Sequence, residues 1–248
     1  MARDHSKYSL DHKNKVAPKS SQFIIYVEGR NTEDSYLKLL KSSSCTIVPI
    51  VERGDGIGSC VDFVNTCESK FNHLPATKRQ RYKEKWLMFD YDGHADFRNA
   101  IKLARQKGFN VAFSSMCIEY WFMLHFEDHD ASPIPLTGDS HSQAQIDRIN
   151  RYIKRLNRGL KTPVKEYDSN SKCVEEDFYD LMLAVNKDTG NRRIIDAVIR
   201  AKNIYDRKLA DGAETQESVT TIYQLLIALG AIKVNEDDNG TKYELNYK

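Results

Sequence analysis

The sequence predicts an α/β protein with a mainly parallel central sheet flanked by helices, followed by a helical C-terminal extension and a terminal β-hairpin. Three observations predict it. Phe23-Ile24-Ile25-Tyr26-Val27 and Trp86-Leu87-Met88-Phe89 are unbroken runs too short for core helices, the pattern of strands buried on both faces. Between and after them apolar residues recur at helical spacing, so strand and helix alternate as right-handed βαβ units do. Both runs also stop at acids beside a glycine, Glu28-Gly29 and Asp90-Tyr91-Asp92-Gly93, which marks an abrupt turn at one end of the sheet.

The elements follow in order. After the first strand, Asn31 or Thr32 can cap a helix whose buried stripe is Tyr36, Leu37, Leu39 and Leu40. Residues 46–51 form a second strand. Glycines at 54, 56 and 58 then open a helix to about residue 72, with Val61, Val64 and Phe71 inward. They are a bend and not a phosphate loop, since the spacing is GxGxG and no Lys-Ser/Thr follows. Residues 73–82 are a polar connector to the strand that ends at Asp90. A helix over 96–107 turns Phe97, Ala100, Ile101 and Ala104 inward and stops at Gly108, and Val111-Ala112-Phe113 is a fourth strand. The aromatic run from Glu119 to Phe126 reads as a buried helix. Helices follow over 143–158, 174–186, 191–210 and 217–229, and an Asn239-Gly240 turn closes a hairpin. The chain thus divides into a basic flexible arm (1–21), an α/β core (22–130) and a mainly helical C-terminal region with the hairpin (131–248).

A chain of 248 residues with 40% hydrophobic and 29% charged residues has the composition of a soluble globular protein. No apolar run approaches the length of a membrane span, and residues 1–21 lack the apolar centre of a signal peptide, so a cytoplasmic protein is expected. The five cysteines are an odd set without CxxC spacing, which reads as reduced thiols. With a net charge of +2, any affinity for nucleic acid must come from where the charge sits.

Asp90 and Asp92 stand at alternate positions, where side chains of an extended segment point the same way. Carboxylates held that close repel one another unless a proton or a cation lies between them. If the strand ending at Glu28 runs parallel and near, Glu28 joins them, and three carboxylates make an oxygen site suited to Mg²⁺ or Mn²⁺. Glu33, one turn into the next helix, is either a supporting group behind that site or a partner of the helix dipole. His125 and His129 are four apart, but the HExxH pattern is missing, and a packed helix end is the expectation. Between positions 148 and 165 there are seven basic residues and no acid, with Arg148, Arg151, Arg155 and Arg158 on one helical stripe. That stripe is the candidate nucleic-acid surface.

Glu-Gly closing one strand and Asp-x-Asp closing a later one resembles the Toprim fold. Four stretches are more specifically similar to the RloB-like family: Ile24-Ile25-Tyr26-Val27-Glu28-Gly29-Arg30-Asn31-Thr32-Glu33, Phe89-Asp90-Tyr91-Asp92, Ile118-Glu119-Tyr120-Trp121-Phe122-Met123-Leu124-His125-Phe126 and Thr220-Thr221-Ile222-Tyr223-Gln224-Leu225-Leu226. Ser115-Met116 stands where the family commonly has Asn-Pro, a difference in a turn ahead of the third stretch. The resemblance implies a Mg²⁺-dependent Toprim nuclease of anti-phage abortive-infection defence, often paired with an ATPase encoded alongside. It places Glu28, Asp90 and Asp92 on the metal, with Glu28 doubling as general acid or base. It adds Glu119 to the catalytic group, Gly29 and Glu33 behind it, and Arg30 as a further phosphate contact.

Two other classes compete. A Toprim module that has lost cutting would dock a partner ATPase or nucleic acid, but would not need to keep a repulsive carboxylate cluster. A haloacid-dehalogenase-type phosphatase also uses Asp-x-Asp. There the motif closes the first strand and is followed two residues on by Thr or Val, whereas here it closes the third strand and His94 takes that place.

Overall fold

A computed structural model describes residues 22–29, 31–43, 49–53, 58–134, 140, 142–168, 170–171, 173–238 and 240–246. The expected arm 1–21, Arg30, most of the first glycine cluster and Asn239 lie outside the described residues.

The buried-strand runs become β1 (Gln22–Val27) and β3 (Tyr82–Asp90), which pair in parallel at the centre of a four-stranded sheet. On their outer sides lie β2 (Pro49–Arg53) and β4 (Asn110–Ser114), also parallel, giving the order β2-β1-β3-β4. The chain goes out from β1 to β2, then returns past β1 to β3 and on to β4. With right-handed crossovers, that reversal sends helices to opposite faces. Accordingly α2 (Cys60–His73) and α4 (Phe97–Gln106) pack together on one face. On the other, α1 (Thr32–Ser43) meets α5 (Ile118–Met123) through the buried hydrogen bond from Trp121 Nε1 to Tyr36 Oη, 3.0 Å. The direction of winding reverses between β1 and β3, and their carboxyl ends bear Glu28 and Asp90. Open α/β sheets take their ligands at that crevice. The architecture is consistent with a Toprim-like fold.

The short α3 (Ala76–Arg79) bridges α2 to β3. The strand begins at Tyr82, four residues before its apolar run, because Lys85 is absorbed: its ammonium donates to the Lys107 carbonyl at 2.7 Å and lies over the Phe71 and Phe109 rings. The exposed basic residues that lead into the strand, Lys78, Arg81 and Lys83, therefore sit at the amino end of β3. At about 3.3 Å per residue, they are roughly 25 Å from Asp90.

Beyond the sheet come α6 (Gln143–Asn157), α7 (Glu176–Leu183), α8 (Arg193–Ala210) and α9 (Ile222–Ala228), then the antiparallel hairpin of β5 (Ile232–Asp237) and β6 (Gly240–Leu245). The helix expected over 217–229 starts late because residues 218–221 have another task. The open edge of β4 would expose unpaired backbone groups. Thr221 covers it: its hydroxyl accepts from Phe113 N (3.0 Å) and donates to Val111 O (3.2 Å), and its own amide donates to Phe113 O (2.8 Å). Alongside, the Ser115 hydroxyl donates to Val219 O and accepts from Val219 N. The turn that departs from the family pattern is thus tied to the C-terminal region, and the sheet is completed by residues from beyond position 130. Cys60, Cys67 and Cys117 are buried thiols and Cys173 an exposed one, none of them in a disulfide.

Thr221→Ala removes a buried hydroxyl that satisfies both an amide and a carbonyl of β4. The expected loss is about 1–3 kcal/mol of stability with unchanged secondary structure, read from urea denaturation followed by circular dichroism.

Candidate active site at the carboxyl edge of the sheet

The apolar run of β3 buries its last residue, Asp90, so the carboxyl group ends the strand inside the protein. Its Oδ2 accepts from the Ile118 amide at 2.7 Å, where α5 begins. Burial raises its pKa well above the carboxylate range, and the charges of Glu33, Asp92 and Glu119 add to that; the Ile118 hydrogen bond opposes it. Asp92 reaches the same place by a different route from the one expected. The strand stops at Asp90, and Asp92 is not extended but left-handed (φ 39°), followed by Gly93 at φ 80°. Aspartate is among the few non-glycine residues that accept this conformation. The turn, and not strand alternation, brings the second carboxylate beside the first.

Glu33 is the larger revision. It is buried on the wall of a cavity of about 180 Å³ that Asp90, Asp92 and Glu119 also line, with Thr32, Cys117 and Ser142. Burial lifts its pKa from 4.5 to about 7, helped by the charges of Glu119, Glu28 and Asp92 and opposed by a hydrogen bond from its own amide. Such a rise disfavours the ionised form by roughly 3 kcal/mol. So Glu33 is both a wall of the site and a partner of its own helix terminus. Gly29 makes this possible: a Cβ there would stand 1.7 Å from Glu33 Oε2. The glycine of the Glu-Gly pair leaves room for the glutamate of the following helix.

Glu28, half-buried at the end of β1, stands to the side. Burial raises its pKa, as does the charge of Asp92, while His94 and the Asp90 amide lower it. Asp92 and Glu33 are thus the cavity's carboxylates in charge contact with Glu28. Glu119 is buried on α5 and accepts from the Tyr167 hydroxyl at 3.3 Å. No sequence pattern announces Tyr167, which lies in an irregular segment without periodicity. It is delivered by Asn150 on α6, whose side chain donates to Tyr167 O (3.0 Å) and accepts from Tyr167 N (2.7 Å).

The resemblance implies a metal ion, and the donor set suits a hard divalent cation: oxygen ligands only, with buried like charges that a cation would relieve. The carboxylates surround the cavity without converging on one point, and among the described residues no three such side chains already form a metal cage.

The arginine stripe is shorter than the sequence indicates. Arg148 is engaged by Glu127 (2.8 Å), an acid from outside the run of 148–165, and also donates to Met123 Sδ. Arg151, Arg155 and Arg158 are exposed, with Arg155 over the Tyr152 ring. Ser142, just before α6, lines the cavity, so the stripe leads away from the site, reaching Arg151 after about 14 Å. His125 and His129 are packing residues: α5 ends before either, and burial pushes His125 down to about 3, its Nδ1 on Trp121 O.

With this geometry in place, the sequence can be set against known proteins. The profile of one family, described as RloB-like protein, matches residues 23–229. The chain belongs to the RloB-like family. No curated protein and no solved structure matches it. The RloB-like match spans every carboxylate of the site, α6 with its arginines, and the edge cover at 219–221. No helix among the described residues is long and apolar enough to cross a membrane.

Two outcomes follow from the buried acids. A carboxyl whose pKa is raised by folding holds more protons folded than unfolded, so its contribution to stability is greatest in acid and is lost as pH rises from the ordinary carboxylate range to about 7. In EDTA, Glu33→Gln should therefore gain more in Tm over wild type at pH 8 than at pH 5; equal gains would show that Glu33 is not held protonated. Gly29→Ala should fold with little loss in Tm but push the Glu33 carboxyl off the cavity wall. The pH dependence of its Tm should then match that of Glu33→Gln.

Proposed function

We propose that this RloB-like protein is a metal-dependent endonuclease that hydrolyses phosphodiester bonds of nucleic acid. The observation that carries the reading is the gathering of Glu33, Asp90, Asp92 and Glu119 around one cavity at the sheet's carboxyl edge, with Glu28 beside Asp92. Burying mutually repelling acids is costly, and a site that binds a cation and a phosphate accounts for that cost.

Asp90 and Asp92 would hold Mg²⁺ or Mn²⁺, with Glu33 joining as it gives up its proton. The ion would supply Lewis-acid polarisation of the phosphoryl oxygens. The protein's own residues do the rest. Glu28, outside the cavity but in charge contact with Asp92, takes the proton of the attacking water. Tyr167 and Cys117 hold Glu119 in place on the opposite wall. Arg151, Arg155 and Arg158 offer phosphate contacts that position a strand without reading its bases. A role in anti-phage abortive-infection defence, beside an ATPase encoded nearby, belongs to the same reading.

The test is cleavage of labelled RNA and DNA in Mg²⁺, with thermal melts of the same proteins. Asp90→Asn and Asp92→Asn should lower cleavage by roughly 10³-fold or more. Wild type should gain Tm on adding Mg²⁺, and the two variants should gain little. An Asp90→Asn protein that cuts as wild type does would remove the assignment.

A further inference from the structure

On the other side of the turn that carries Asp92 lies a second and larger cavity, about 320 Å³, at the lower end of the range for small-molecule sites. One wall is the turn itself, with Tyr91 and His94; a second is the start of α4, with Phe97 and Arg98; the third is the loop with Gln216 and Glu217. The two cavities share one turn. Tyr91 and His94 are within two residues of Asp92, and successive Cα atoms are about 3.8 Å apart, so one ligand lying over the turn spans both openings. His94 also lies within charge range of Glu28, which ties this cavity to the acid beside the first.

The lining is that of a site for a ligand with a flat ring, a negative group and several hydroxyls. Tyr91 is half-buried and set edge-on to Phe97, with ring centroids 5.7 Å apart, which fixes the plane of its ring. Arg98 is exposed and has no ion-pair partner among the described residues. Gln216 and Glu217 add an amide and a carboxylate on the facing wall. An apolar ligand would leave these groups without partners, and a purely anionic one would meet Glu217.

We propose that this cavity binds one nucleotide unit of the substrate strand, next to the scissile phosphate. The base stacks on Tyr91, the phosphate meets Arg98, and the sugar hydroxyls face Gln216 and Glu217. Stacking on an aromatic ring accepts any base, so the cavity positions the strand without selecting sequence. The assignment deepens the nuclease reading and rests on it for the word substrate, but the cavity's affinity for a nucleotide is a separate quantity.

Calorimetric titration of the full-length protein in EDTA with adenosine 5′-monophosphate and with adenosine tests it. Wild type and Asp90→Asn should both bind the monophosphate, more tightly than the nucleoside. Tyr91→Ala should weaken binding of both ligands roughly tenfold or more, and Tyr91→Phe should restore it. Arg98→Gln should bring the monophosphate down to the affinity of the nucleoside. Equal binding by wild type, Tyr91→Ala and Arg98→Gln, or no binding by folded wild type at millimolar ligand, overturns the proposal. If the nucleotide binds with this pattern while wild type cuts no nucleic acid, the nuclease reading fails and the nucleotide site stands. If Asp90-dependent cleavage is found but Tyr91→Ala and Arg98→Gln bind and cut as wild type does, the reverse holds.

Discussion

Repulsion among carboxyl groups in a partly buried cavity is the constraint on which the rest of this structure turns. Asp90, Glu33 and Glu119 are each removed from water, and Asp92 and Glu28 stand close enough to raise their neighbours' proton affinity. Left to themselves such groups would separate. They stay together because each is fixed by an element with a large apolar commitment elsewhere: Asp90 by the central strand, Glu33 by a helix docked through Tyr36 and Leu37, Glu119 by an aromatic helix buried on all sides. The core holds the acids in place, and proton uptake and the Ile118 amide relieve part of the strain.

The sheet order supplies the location. A sheet wound in one direction throughout would place its crossover loops on one side of each strand and leave no crevice at the centre. Here the return from β2 past β1 to β3 opens a gap between the carboxyl ends of the two central strands. Everything ascribed to the site enters this gap: the Glu28-Gly29 exit from β1, the Asp90–His94 turn, the start of α5 and, from the far side, Tyr167. The larger cavity flanks the same turn, so a strand bound there is already aligned with the acids.

The central strands and the acids at their ends were legible in the sequence because a buried parallel strand needs a continuous apolar run and because a strand's end fixes where its last side chain goes. The details that failed depend on contacts that no sequence pattern states. Asp92 looked like a strand position because alternation is a local rule, whereas its left-handed turn is set by how the chain must leave β3. Glu33 looked secondary because nothing local says that Gly29 leaves space for its carboxyl. Arg148 looked unpaired because its acid, Glu127, lies outside the helix. Tyr167 had no signal, since a residue in an irregular segment is placed only by the Asn150 clasp.

The cover over β4 also bears on when the carboxylate site can form. Ser114 and Thr220, joined through their hydroxyls at 2.9 Å, are 106 positions apart, and Thr221 stands 108 beyond Phe113. Contacts of such long range form late, because the intervening chain must be closed into a loop before they are rewarded. During synthesis the open edge of β4 stays uncovered until residues 219–221 have been made, more than 100 positions after the strand itself. The turn through Ser115 and Met116 leads straight into α5 and Glu119, and it is clamped by Val219. A nascent chain that stops short of these residues therefore carries its acids without the clamp on the turn that leads to Glu119.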